Sequence, residues 1–97
     1  MNRDDIISDI ILERGRQDRL KDAGRFRYTL ADKNPGLTDA ERFLALTEEI
    51  GEVARCVLED EDLTFDKEPR ILFEFQSELH RELTQVAALA VAWMEAL

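Results

Sequence analysis

From Ile71 to Ala92 the chain keeps one line of side chains in step with a helix: Ile71, Phe75, Glu78, Glu82, Gln85, Leu89 and Ala92 recur at spacings of 4, 3, 4, 3, 4 and 3. That rhythm puts all seven on one face of an α-helix, whereas a strand changes face at every residue. Pro69 suits the first turn of this helix, which then runs without a break to the C-terminus. So long a face needs helical neighbours to cover it, and the chain is therefore expected to be an all-α, antiparallel helical bundle. Ala87, Ala88, Ala90 and Ala92 permit close packing, with Trp93 as a large anchor. Two acids and an amide interrupt the otherwise apolar line. Charged groups there are costly to bury unless they are paired with opposite charge or with a metal.

A second acidic group answers the first. Thr47 to Arg55 reads TEEIGEVAR, and on a helix Glu49 and Glu52 fall about 60° apart, with Glu48 within ~40° of Glu52. Like charges at these spacings destabilise an isolated helix, so a positive partner is expected. The helix carrying them starts near Thr38 or Asp39, where TDAE fits a capping box. Phe43, Leu46, Ile50, Val53 and Val57 form its apolar seam, and Ala45, Glu49, Glu52 and Cys56 form a stripe beside it. Gly51 costs helix stability, which suggests close approach by a partner helix or a ligand.

The first segment, about Asp4 to Asp22, is also helical by pattern, with Asn2 or Asp4 as its cap and Gly24 as its C-terminal glycine. Its buried face is either Ile6, Ile10, Glu13, Gln17 and Leu20 or the neighbourhood of Ile7 and Ile11. Arg25 to Thr38 reads as an ordered loop with a KNPG turn. Phe26 and Tyr28 in it either pack on the core or stack on a base, with Arg25, Arg27 or Lys33 near its phosphates. Glu59 to Lys67 is an acidic connector. Phe65 and Ile71 stand where a calcium loop needs glycine and bidentate glutamate, so that reading fails.

Composition narrows the partners. A chain of 97 residues is one small domain with a limited core, and association would enlarge it. A net charge of −9 disfavours nucleic acid and anionic membrane surfaces. One cysteine, Cys56, forms no internal disulfide, and the N-terminus lacks the pattern of a signal peptide. The longest apolar run, Val86 to Met94, is about half of what spans a bilayer. A cytoplasmic setting is expected. A hydrolase built on Cys56 and His80 lacks a third partner and an oxyanion motif.

Glu48, Glu49 and Glu52 on one helix and Glu82 with Gln85 on another together offer oxygen ligands for a hard cation. Magnesium, or manganese in its place, takes such ligands and bridges substrate phosphates. With EEIGE at 48–52, ELTQ at 82–85 running into VAALAVAWMEAL, and ERGRQD at 13–18, the chain resembles the MazG-like all-α nucleoside triphosphate pyrophosphohydrolases over nearly its whole length. The resemblance implies a single domain over 1–97 that assembles as a homodimer or homotetramer. It further implies magnesium-dependent cleavage of a nucleotide between its α and β phosphates, giving the monophosphate and pyrophosphate. Glu49, Glu52 and Glu82 match the family's metal ligands, and Glu48 matches the leading acid, which orients water or completes the metal's surroundings. Gln85 stands where the pattern has aspartate, which removes one negative charge, and Glu78 one turn earlier is the acid available to compensate. The tryptophan that often follows the early glutamine is absent, so base stacking must come from elsewhere. Two alternatives stay open: a nucleotide- or metal-binding module without turnover, and a helical dimerisation domain whose acids face water.

Overall fold

The computed structural model describes residues 1–33, 36–59 and 69–97, the side chains of 69 and 70 excepted. Three helices account for most of them: α1 (Arg3–Asp22), α2 (Asp39–Glu59) and α3 (Pro69–Glu95). Asn34 and Pro35 of the KNPG turn and nearly all of the acidic connector lie outside the described residues.

Local sequence sets the helix ends. The Asn2 side chain accepts from Asp5 N at 2.9 Å and caps α1, with Asp4 and Asp5 in the first turn and Arg19 and Lys21 in the last. Gly24 closes α1 at φ 75°. Its N–H donates to Lys21 O at 2.9 Å and Arg25 N–H to Leu20 O at 2.8 Å, the bonding of a Schellman turn. At α2, Glu41 N–H donates to Thr38 Oγ1 at 3.1 Å while Glu41 Oε1 accepts from Thr38 N–H at 3.0 Å, which is a capping box.

Helix α3 is the centre of the molecule. It packs against both α1 and α2, whereas among the described residues α1 and α2 do not meet. Trp93 Nε1 donates to Asp39 Oδ1 at 3.1 Å, joining the end of α3 to the start of α2, and the two helices run antiparallel. His80 meets Asp9 at 2.9 Å, and further along Arg14 donates to Glu95 at 2.6 Å, so α1 runs in the same direction as α3. His80 is thus half-buried and tied to α1.

Two faces differ from simple expectation. On α1 the polar-centred stripe turns inward: Gln17 is 5% exposed and Glu13 half-buried, while Ile11 of the rival face is 65% exposed. On α2 the apolar seam is only partly covered: Leu46 and Val53 are half-buried but Phe43 is 58% and Ile50 51% exposed, and the stripe holding Ala45, Glu49 and Cys56 faces α3. Buried apolar residues are Leu30, Cys56, Ala88 and Ala92, and no large described side chain is fully enclosed.

The loop after α1 is pinned by residues the sequence did not single out. Arg42, buried in the first turn of α2, donates to Leu30 O at 2.9 Å and Asp32 O at 2.8 Å. Lys21 donates to Asp32 at 2.6 Å and holds that carboxyl below the usual carboxylate range. Thr29 and Leu30 are buried as a result.

Candidate functional site

Because α1 and α2 straddle α3 without touching, a gap opens between them with α3 as its floor. The loop closes one side and leaves a cavity of about 490 Å³, within the size range of small-ligand sites. Glu13, Arg16 and Gln17 of α1, Ala45, Glu48 and Glu49 of α2, and Gln85 and Leu89 of α3 line it. Residues 25–30 supply the remaining wall. Phe26 and Tyr28 are 41% and 49% exposed there, so core packing does not account for these aromatics. Lys33 is not among the lining residues.

The acids of α2 and α3 meet at this cavity. With its amide nitrogen turned towards them, Gln85 donates to Glu82 Oε2 at 3.2 Å and to Glu49 Oε2 at 3.3 Å; this orientation follows from the hydrogen-bond partners around the amide. A single donor thus lies within reach of carboxylates from two helices. Burial pushes the Glu49 carboxyl up, and the neighbouring carboxylates of Glu82, Glu52, Glu13 and Glu48 push it further. Glu13, which the sequence placed on a core stripe but not in the site, therefore belongs to the cluster. Its own partner is Arg16, bound through two hydrogen bonds of 2.8 Å.

The expected site residues do not all stand alike. Glu48, Glu49 and Gln85 line the cavity, and the half-buried Glu82 reaches it through Gln85, with Arg81 at 3.4 Å on its other side. Glu52 is exposed, and its charge acts on Glu49 from α2's outer edge. Glu78 lines a separate groove with Cys56, Glu59 and Phe75, so it does not stand in for the missing aspartate. Nothing lies within 4 Å of where a Cβ on Gly51 would be, so the close approach expected at this glycine is not met among the described residues. Cys56 is buried, as a small apolar residue would be.

As donors, these carboxylates suit a hard cation, and the Glu49 carboxyl is raised first by burial and then by the negative charge of its neighbours. As they stand, no three His, Cys, Asp or Glu side chains among the described residues are gathered closely enough to hold a metal ion. Among those residues, too, no helix is long and apolar enough to cross a membrane. No protein-family model, curated protein or solved structure matches this chain.

Proposed function

We propose that this chain is a magnesium-dependent nucleoside triphosphate pyrophosphohydrolase of the MazG-like type, cleaving between the α and β phosphates in a cytoplasmic setting. The observation that carries the reading is that Glu49 and Glu82, from different helices, share the Gln85 amide beside a cavity whose loop wall presents Arg25, Phe26, Arg27 and Tyr28. Aromatic faces suit a base, arginines suit phosphates, and crowded carboxylates suit a cation. Glu49, Glu52 and Glu82, which are not gathered closely enough as they stand, would have to draw together to hold the magnesium, with Gln85 contributing if its oxygen turns inward. A bound magnesium would neutralise phosphate charge and lower the pKa of a water. Glu48, on the cavity wall, is the acid available to orient that water.

A second copy of the chain completes the bundle in this reading. Phe43, Ile50 and Val57 form the open part of an apolar seam on α2, and an exposed apolar face of this kind marks an interaction surface. A homodimer, or a dimer of dimers, would cover it.

One observation favours a second reading. The Gln85 nitrogen already bridges Glu49 and Glu82 as a neutral clip, which suits a module that binds nucleotide without turnover. Pyrophosphate release from canonical, deoxy and modified nucleoside triphosphates with magnesium separates the two. The hydrolase reading expects Glu49→Gln to lose turnover by at least about a hundredfold and Gln85→Asp to keep or raise it. Unaltered turnover in Glu49→Gln would sink the site assignment, and nucleotide binding with no product from any substrate would favour the module.

A further inference from the structure

Gln17 lies on the inward stripe of α1 with the half-buried Ile10 and Leu20 as its apolar companions. There a leucine would pack with no polar group to satisfy. The Gln17 Oε1 is sealed from solvent and has no hydrogen-bond partner, and it is the one buried side-chain polar atom among the described residues left in that condition. A buried acceptor left unpaired in this way destabilises the fold. Gln17 also lines the cavity, together with Phe26 and Tyr28. We propose that Gln17 reads the edge of the bound base: its amide oxygen accepts a hydrogen bond from a ring or exocyclic N–H of a nucleobase stacked on the loop aromatics. This inference rests on the nucleotide reading above and adds to it a residue that selects the base.

The chemistry of the orphan narrows what can meet it. A carbonyl oxygen needs a donor, so a phosphate oxygen, itself an acceptor, leaves it unsatisfied. A cation is better served by the carboxylates of Glu49 and Glu82 nearby. A sugar hydroxyl could donate, but Phe26 and Tyr28 favour a flat ring with polar edges over a sugar. The last torsion of a glutamine is broad, so the amide can swing its oxygen out of the sealed position and into the cavity that Gln17 lines, where it meets such an edge. Sites built around a buried amide discriminate strongly against ligands that leave it unpaired.

The test is calorimetric titration, with magnesium, of the full chain with α,β-methylene analogues of ATP, GTP, CTP and UTP, and with ribose 5-triphosphate and inorganic tripolyphosphate. Gln17→Leu is expected to weaken binding of the preferred nucleoside analogue by tenfold to a hundredfold and to leave ribose 5-triphosphate and tripolyphosphate unchanged. Its thermal midpoint should not fall, since the substitution removes an unsatisfied atom. On the wild-type chain, methylating or deleting the donor N–H of the preferred base should cost at least the same tenfold, a measurement that needs no variant. Equal weakening of ribose 5-triphosphate, or full affinity for the methylated base, overturns the assignment. Wild-type protein that binds tripolyphosphate but gains nothing from any base also overturns it while sparing the phosphate site. A chain that binds none of these ligands removes the nucleotide reading and this inference with it.

Discussion

The two faces of α2 meet different surroundings. Of its apolar seam, Phe43, Ile50 and Val57 are open to solvent and only Leu46 and Val53 are half-buried, while the stripe that carries Glu49 faces α3 and the cavity. A helix satisfied within its own chain would turn the whole seam inward. Rotating α2 to bury the seam would bring Phe43 and Ile50 into the gap over α3 and remove Glu49 from the reach of Gln85. The arrangement therefore keeps the acids at the cavity and leaves the apolar face for something outside the chain. Each face can be tested without disturbing the other.

The largest effect is expected at the open face. Placing a charge in the seam with Ile50→Glu should weaken self-association by at least about a hundredfold, because a buried unpaired carboxylate opposes contact. Light scattering on eluted protein reads the mass, and far-UV circular dichroism shows whether the helices persist. A wild-type chain that is monomeric at all concentrations, or an Ile50→Glu chain that keeps its oligomeric mass, breaks the comparison.

That open seam also marks where sequence reading reached its limit. The helix ends were legible because a cap is a local contract between neighbouring residues: Asn2 with Asp5, Thr38 with Glu41, and Gly24 at positive φ. That Glu82 and Gln85 share a line on α3 was legible because regular spacing fixes which residues share a face, whereas the reach of Gln85 to Glu49 on α2 is visible only in the structure. The destination of a hydrophobic stripe was not. Periodicity says that Phe43, Leu46, Ile50, Val53 and Val57 avoid water together, and it is silent on whether the cover comes from the same chain. Arg42 escaped notice for a related reason, since its acceptors are carbonyls of a loop whose path no pattern encodes. A signal was there: a basic residue in the first turn of a helix opposes the dipole, so it needs another reason to be present. Gln17 could be placed on a stripe, but its orphaned oxygen is visible only once the surrounding atoms are in place.

At the inward face the expected effect is smaller and depends on pH. The Glu49 carboxyl titrates above its ordinary value of 4.5 in the folded chain, so the folded state holds that proton more tightly than the unfolded state does. The stability tied to this group therefore falls as pH rises from the ordinary value through the folded one, and the whole penalty is present at neutral pH. Glu49→Gln removes the penalty. After allowance for screening of a half-exposed carboxylate, it should stabilise the chain at pH 7 by about 0.5–1 kcal/mol, or roughly 2–8 °C, with the advantage shrinking as pH drops towards 4. Thermal unfolding of both proteins between pH 4 and pH 8 checks this. Equal midpoints throughout would mean that the acids do not crowd one another, and the inward face would lose its claim to be a cation site.

The finest test lies on the boundary between the faces. Gly51 sits within the acidic motif, exposed, with nothing within 4 Å of where an alanine methyl would stand, so the chain alone gives no reason for glycine. Gly51→Ala should then stabilise α2 by about 0.5–1 kcal/mol, since alanine is the better residue in a helix interior. If a second copy packs closely across this point, the same methyl group would press on the partner. Urea unfolding at protein concentrations above and below the association midpoint distinguishes the two cases. A gain at both concentrations places Gly51 off the interface and leaves Ile50 and Val57, on another face of the helix, as the contact. A gain only in dilute protein, reversed when the chains associate, means that the glycine is kept for close approach of a second helix. The seam and the acids would then be two sides of one assembled site.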